Sequence, residues 1–388
     1  MDLISKITGY LMASIDVVTS YGIPFIIILT LLVFVHELGH YLIARRNGVR
    51  VEVFSIGFGP ELFGWTAKSG TRWKFSAIPL GGYVKMFGDS DVASTSTAPP
   101  PDLSPEEKAV SFPHKRVGQR AAIVVGGPAA NFLFAIVVLA GLYMTVGQPY
   151  TAPVIDRVNP DTAAADAGLQ PRDLVGTIDG QAVQRFEDMQ RIVQARPGQR
   201  LAVTIERDGA PMTLNVTPKV YEFTDRFGNN QRIGRLGVES SQMRIIRHDP
   251  LTATWQAARE TWNLTVGTLH ALGQMVAGTR ATEEIGGVLR IAQMAGQVSK
   301  DGLPYMIWFT ALLSINLGLI NLFPIPVLDG GHLLFYGAEA LRGRPLGRRV
   351  QEWGSMAGLA AVLALMIFAT WNDLVHLRVV AFFASLIS

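Results

Sequence analysis

Four long runs almost empty of charge limit what this chain can fold into. They are residues 22–44, 121–148, 303–328 and 353–371. About 20 apolar residues are needed to cross a bilayer as a helix, and each run reaches or approaches that length. In hydrocarbon the backbone must satisfy its own hydrogen bonds, so such runs become helices. The chain is 17% charged, against about 25% in soluble domains, and its apolar residues are bunched. A polytopic membrane protein with a polar part attached is the expected class. A net charge of +3 is too small and too scattered for a nucleic-acid partner. With no cysteine, disulfides, thiolate metal sites and cysteine nucleophiles are excluded. Residues 1–20 carry Asp2 and Asp16 and make a poor signal peptide.

Basic residues orient the spans. Arg45, Arg46 and Arg50 follow the first run, Lys115, Arg116 and Arg120 precede the second, and Arg342, Arg344, Arg348 and Arg349 separate the third from the fourth. The positive-inside rule puts both connections in the cytoplasm. The region between spans two and three, and both termini, then lie outside.

Within 22–44 the only acidic or basic side chains are His36, Glu37 and His40. One helical turn separates the two histidines, so both imidazoles face the same side. Histidines so spaced can share one zinc ion, and a glutamate beside the first can act as general base on water. Carboxylates inside a membrane cost on the order of 2.5–3.5 kcal/mol, so the bland reading as incidental polar residues is weak here. Catalytic zinc needs three protein ligands and an open position. Spans two and four offer no acidic or basic residue. The third span ends in "NLGLINLFPIPVLDGGHLLFYG", which offers Asp329 and His332 on the same cytoplasmic side. Asp329 is the expected ligand; its bland reading is a helix N-cap. His332 is expected to support or pack. Two prolines and the pair Gly330, Gly331 predict a broken helix, tolerated at depth only where it is buried or lines a wet cavity.

Between the spans, "VRVEVFSIGF" and "TRWKFSAI" read as strands around a "KSG" turn, and 88–112 as a Ser/Thr/Pro-rich mobile linker. Residues 151–220 read as a compact α/β unit. "LTATWQAARETWNLTVGTLHALGQMVAG" reads as a helix with Trp255, Trp262, Leu269 and Leu272 near one face, lying on the bilayer or packed on protein. Gly126, Gly127 and Gly141 read as close-packing positions in span two.

HELGH in one span and "NLFPIPVLDGGH" in a later one resemble the site-2 protease family of intramembrane zinc metalloproteases (peptidase M50), in its bacterial regulator-of-sigma-E branch. The likeness runs through "FSIGFGPELF", "AIPLGGYVKM" and "RAAIVVGGPAANFLFAI". It implies four transmembrane helices, a membrane-associated β-hairpin or sheet and one extracytoplasmic α/β PDZ-like domain. The implied division is 1–48 (N-terminal segment and first span), 49–87 (membrane-reentrant β region), 88–118 (flexible cytoplasmic linker) and 119–149 (second span). There follow 150–220 (PDZ-like domain), 221–300 (connector with amphipathic helices), 301–337 (third span), 338–351 (cytoplasmic loop), 352–374 (fourth span) and 375–388 (tail).

By the same resemblance His36, His40 and Asp329 bind one Zn2+ and Glu37 activates water. Asn316 and Asn321 match asparagines that hold substrate. The implied location is the bacterial inner membrane, with the PDZ-like domain and both termini periplasmic and the active site toward the cytoplasm. The implied substrates are single-span membrane proteins, such as an anti-sigma factor cut second in regulated intramembrane proteolysis, and signal-peptide remnants. The PDZ-like domain would hold peptide ends, along an edge including "APVIDRV", or reject bulky outer regions. Relatives commonly carry two PDZ domains where one pattern is visible here. They also carry glycine at the Arg172 position, and a Gly-Pro version of "EIGGVLRIAQ". Two rival classes remain on sequence: a metal transporter, which gives Glu37 no role, and a non-catalytic scaffold carrying a PDZ module, for which Glu37→Gln is silent.

Overall fold

The structure is a computed structural model and describes residues 18–89, 103–224, 230–278 and 286–376. The expected N-terminal segment, most of the 88–112 linker and the C-terminal tail lie outside the described residues. The chain divides into two compact units, 1–142 with 254–388, and 143–253.

Among the described residues, four helices, lying wholly or largely in the first unit, are long and apolar enough to cross a membrane. They are α1 (Ile23–Arg46), α2 (Val117–Thr145), α6 (Leu303–Asn321) and α8 (Arg348–His376). Helix α1 starts with proline in its first turn and ends on Arg45 and Arg46, which suit the negative end of the helix dipole. Asn47 closes it, its Nδ2 donating to Ile43 O at 2.9 Å. Helices α1 and α2 cross backbone to backbone. A Cβ on Gly39 would lie 2.1 Å from Gly126 O, and one on Gly126 would lie 2.8 Å from Gly39 O. Only glycine permits such an approach. Gly141 differs from the expectation: a Cβ there would meet nothing within 4 Å, so no close approach requires glycine at that position.

Strands β1 (Val51–Thr66) and β2 (Arg72–Met86) are longer than the strand-like patches of sequence, because the glycine-rich "IPLGGYVKMFG" joins the second. Residues Val53–Ile56 pair with Gly82–Lys85 on one side and Arg72–Phe75 on the other, while Phe63–Thr66 pairs with Arg72–Phe75 again. Two bent strands thus make a sheet four segments wide. Within the stretch expected to be a linker, a short helix Pro105–Val110 carries a full capping box between Ser104 and Glu107, and Phe112 is buried. One core joins Ala44, Val51, Met86, Ile123 and Tyr336; another joins Ile28, Leu32, Ala295 and Phe309.

Helix α6 ends at Asn321 and α7 (Asp329–Arg342) begins after the two prolines, so the expected break is present. Helix α5 (Val288–Asp301), in the unusual "EIGGVLRIAQ" stretch, is capped from α8: Asp373 accepts from Gly287 N at 2.8 Å and Arg290 N at 3.1 Å. A Cβ on Gly287 would lie 2.7 Å from that carboxylate. Helix α4 (Pro250–Val276) shows Leu251, Trp255, Trp262, Val266, Leu269 and Val276 to the outside, one stripe at helical spacing.

The second unit has a four-stranded sheet ordered β6-β5-β7-β8, with β5 Leu174–Ile178, β6 Gln181–Ala182, β7 Leu201–Arg207 and β8 Ala210–Val216. Leu201, Val203 and Ile205 alternate inward along β7 and meet Phe186, Met189, Ile192 and Val193 of α3 (Phe186–Gln194). These are the strand and helix periods expected of one buried face. The segment expected to offer a free binding edge is instead engaged on both sides. Ile155 N donates to Asp173 O, and Asp156 N to Glu239 O, at 2.9 and 2.8 Å. A cavity of about 450 Å3 opens elsewhere, between α3 and residues 234–239, lined by Phe186, Met189, Val193, Arg235 and Leu236. Arg172, at the position where the resemblance leads one to expect glycine, sits at φ +76°, in the region that favours glycine.

Candidate metal centre

Helix α1 brings His36 and His40 to one face, as their spacing requires. Their Nε2 atoms lie 3.2 Å apart. Asp329 Oδ2 lies 3.2 Å from His36 Nε2 and 3.5 Å from His40 Nε2. Among the described residues these three form the one group arranged to hold a metal ion. Ligands at 2.0–2.1 Å from a tetrahedral zinc stand roughly 3.3–3.4 Å from one another, which is the spacing found. Asp329 Oδ2 is also buried with no hydrogen-bond partner. Three electron-pair donors facing one small space, one of them an orphaned carboxylate oxygen, fit a cation.

Each candidate ligand is held from behind. His40 Nδ1 lies 2.9 Å from Ile123 O on α2, and only an N–H there can bond to a carbonyl. That leaves the electron pair on Nε2. His36 Nδ1 lies 3.1 Å from the Asn131 amide on α2. Gly127 lies under both rings, where a Cβ would come within 2.3 Å of His40 Nε2. Of the glycines read as close-packing, this one makes room for imidazoles.

Asp329 is the first residue of α7, and Leu328 takes the N-cap position. Its carboxylate turns to the histidines instead of capping. The loop before it folds back tightly: Cβ atoms on Gly330 and Gly331 would fall 2.2 Å from Phe323 O and 2.4 Å from Ile325 O. Val327 is held at φ +94°, a costly conformation for a β-branched residue. At its far end α7 is anchored by a buried pair, Arg120 Nη2 to Glu339 Oε1 at 2.6 Å, with the guanidinium over the Tyr336 ring.

Glu37 lies beside the triad, close enough to His40, His36 and Asp329 to interact with each electrostatically. A Cβ on Gly82 of β2 would come 3.2 Å from its Cγ, so the Gly82–Met86 segment of the sheet passes next to it. Two other predicted residues are not brought into this group. Asn316 Oδ1 accepts from Thr268 Oγ1 of α4 at 3.3 Å, and Asn321 Nδ2 donates to Leu317 O of its own helix at 3.0 Å. His332 is not part of the triad. Sequence reasoning missed Asn131, although its signal was present: it is the only amide in the apolar run 121–147, where polar groups are expensive.

Residues 24–365 match Peptidase family M50. A Rhizobium meliloti protein provisionally named a zinc metalloprotease is 47% identical over 91% of this chain and 96% of its own length. The metalloprotease MmpA of Caulobacter vibrioides is 37% identical over 94% of this chain and 98% of its own length. The regulator of sigma-E protease RseP of Escherichia coli is 32% identical, covering 90% and 97%. A solved PDZ domain of an SdrC-like protein from Listeria monocytogenes covers 24% of this chain and 88% of its own, at 18% identity and a TM-score of 0.19; no argument rests on so low a score. The His–His–Asp triad at the end of an apolar helix agrees with what these sequence relatives are named for, and the transporter and scaffold readings fall away. The chain belongs to Peptidase family M50 and is an intramembrane zinc metalloprotease.

Proposed function

We propose that His36, His40 and Asp329 hold the zinc, that Glu37 is the general base, and that the substrates are single-span membrane proteins cut within their spans. One observation carries the ligand assignment: the buried, partnerless Oδ2 of Asp329 faces both Nε2 atoms. Zinc, when bound there, supplies a Lewis acid that polarises the scissile carbonyl and acidifies water. Glu37 takes the proton from the attacking water as its oxygen bonds to the carbonyl carbon. It then returns that proton to the leaving nitrogen as the C–N bond breaks.

A helical substrate must expose its backbone before this chemistry is possible. The Gly82–Met86 segment, running past Glu37, suits addition of an unwound substrate as a strand. Asn316 and Asn321 would hold the same backbone after giving up their bonds to Thr268 and Leu317. The basic flanks support a triad lying toward the cytoplasm and a 143–253 unit, read as PDZ-like, in the periplasm of a bacterial inner membrane. The exposed stripe of α4 suits the bilayer surface. The cavity beside α3 is then the place for a peptide end, and the unit as a whole can reject bulky outer domains, the use we favour. Release of an anti-sigma factor, in keeping with the name of the E. coli relative, and clearance of signal-peptide remnants are the proposed roles.

The test uses purified full-length protein in detergent and a single-span substrate with a short outer tail. Glu37→Gln is expected to keep zinc and lose turnover, and His36→Ala and Asp329→Ala to lose both. Turnover by Glu37→Gln would end the mechanism, and zinc retained by Asp329→Ala would end the ligand assignment.

A further inference from the structure

We infer that Asn131 is a positioning residue of the metal centre: its side-chain oxygen holds the Nδ1–H of His36, so that the ring presents an electron pair at Nε2. The inference rests on the ligand assignment above and adds a residue from the second span, which supplies no ligand. Asn131 is fully buried. Its amide stands 3.1 Å from His36 Nδ1, with Nδ2 as the nearer atom and Oδ1 buried without a partner. In that orientation the amide N–H donates to Nδ1, and a neutral ring must then carry its proton on Nε2. Such a ring cannot ligate a cation through Nε2. A half-turn of the amide plane exchanges two atoms of almost equal size. The oxygen then accepts from Nδ1–H, and Nε2 is free to ligate.

The same tautomer is already imposed on His40 by the Ile123 carbonyl. The two rings are 4.8 Å apart and nearly perpendicular, so each needs its own acceptor behind it. Helix α2 provides both acceptors, Ile123 O and Asn131, two turns apart on the face where Gly127 makes space for the rings. The backbone under Asn131 is fixed separately: Ser314 Oγ donates to Asn131 O at 2.9 Å. A change of side chain at 131 therefore removes the bond to His36 and leaves that tie in place. Partners behind metal-bound histidines typically contribute 10–100-fold in metal affinity.

Zinc affinity would be measured by chelator competition on full-length protein in detergent, beside the visible spectrum of the Co2+-loaded form and the unfolding temperature without metal. Asn131→Leu, which keeps the branched shape and removes the acceptor, is expected to bind zinc 10–100-fold more weakly, to shift the Co2+ bands, and to unfold near the wild-type temperature without metal. Asn131→Asp keeps an acceptor oxygen and is expected to restore affinity and spectrum. His36→Ala is run in parallel. If it loses zinc while Asn131→Leu keeps wild-type affinity, the positioning role is refuted and the ligand assignment stands. If His36→Ala keeps zinc, the ligand assignment itself has failed. Equal loss in the Leu and Asp variants also refutes the inference, because the acceptor would not be what matters.

Discussion

An alanine at Gly127 tests the space on which the centre depends. Its methyl would stand 2.3 Å from His40 Nε2, 2.7 Å from His40 Cε1 and 2.8 Å from His36 Cε1, where ordinary contact begins at 3.4 Å. The first gap must therefore open by about 1.1 Å, several times the roughly 0.2 Å that metal–ligand distances tolerate. The His40 ring cannot swing aside cheaply, since its Nδ1 is tied to Ile123 O at 2.9 Å. Moving helix α2 back would open the close Gly39–Gly126 contact and stretch the bond from His40 to Ile123. Overpacking of this kind costs about 1–3 kcal/mol of stability. Loss of ligand geometry should weaken zinc at least 100-fold, about 2.7 kcal/mol. Gly141→Ala, in the same helix with nothing within 4 Å of the added carbon, is the control and should gain about 0.5–1 kcal/mol. The assay is zinc content after dialysis against a graded chelator, with cleavage of a single-span substrate read alongside. Gly127→Ala that holds zinc like wild type would refute the packing argument.

Three further outcomes are expected. Glu339→Leu strands Arg120 in a buried site, since the two side chains are only 12% and 6% exposed. It should cost about 3–5 kcal/mol in thermal or denaturant unfolding, and loss of zinc should accompany it because α7 carries Asp329. Arg172→Gly removes a left-handed strain of about 1–2 kcal/mol against a glycine entropy cost of about 0.5–1 kcal/mol. A net gain near 0.5–1 kcal/mol in unfolding of the full chain is expected, and a loss would contradict the φ argument. At the start of α4 the Thr252 hydroxyl, and then the Thr252 and Leu251 amides, donate to Asp249, and those bonds hold its carboxyl below the usual range. Because the folded form has the lower pKa, its contribution is complete above about pH 4 and fades as pH falls through the folded value. Amide protection at 251–253, corrected for the intrinsic exchange rate at each pH, should fall on acidification below pH 4 in wild type and change little in Asp249→Asn.

What could be read from sequence followed physical range. His36, Glu37 and His40 were legible because one helical turn fixes their relation. Asp329 was legible because membrane depth leaves few places for a carboxylate. Asn131 escaped because its meaning lies in a bond to another helix, and the run around it looks like plain packing. The same holds for Gly127, which in sequence is indistinguishable from Gly126 and Gly141. The doubled pairing of Val53–Ile56 was out of reach, since it depends on where β2 bends. "APVIDRV" looked like an edge because alternation reveals a strand and not its neighbours. The helix at Pro105–Val110 was legible in principle through Ser104 and Glu107, but the Ser/Thr/Pro bias of the preceding residues obscured it.

The triad joins residues that are far apart in the chain, and this has a consequence in time. A ribosome that has made His40 must add another 289 residues before Asp329 exists. At about 5–20 residues per second, roughly 15–60 s pass during which HELGH sits in the membrane without the proposed third ligand. On the proposed ligand set, the protease is thus kept inactive while its own spans are being inserted. Its activity waits for the last third of the polypeptide.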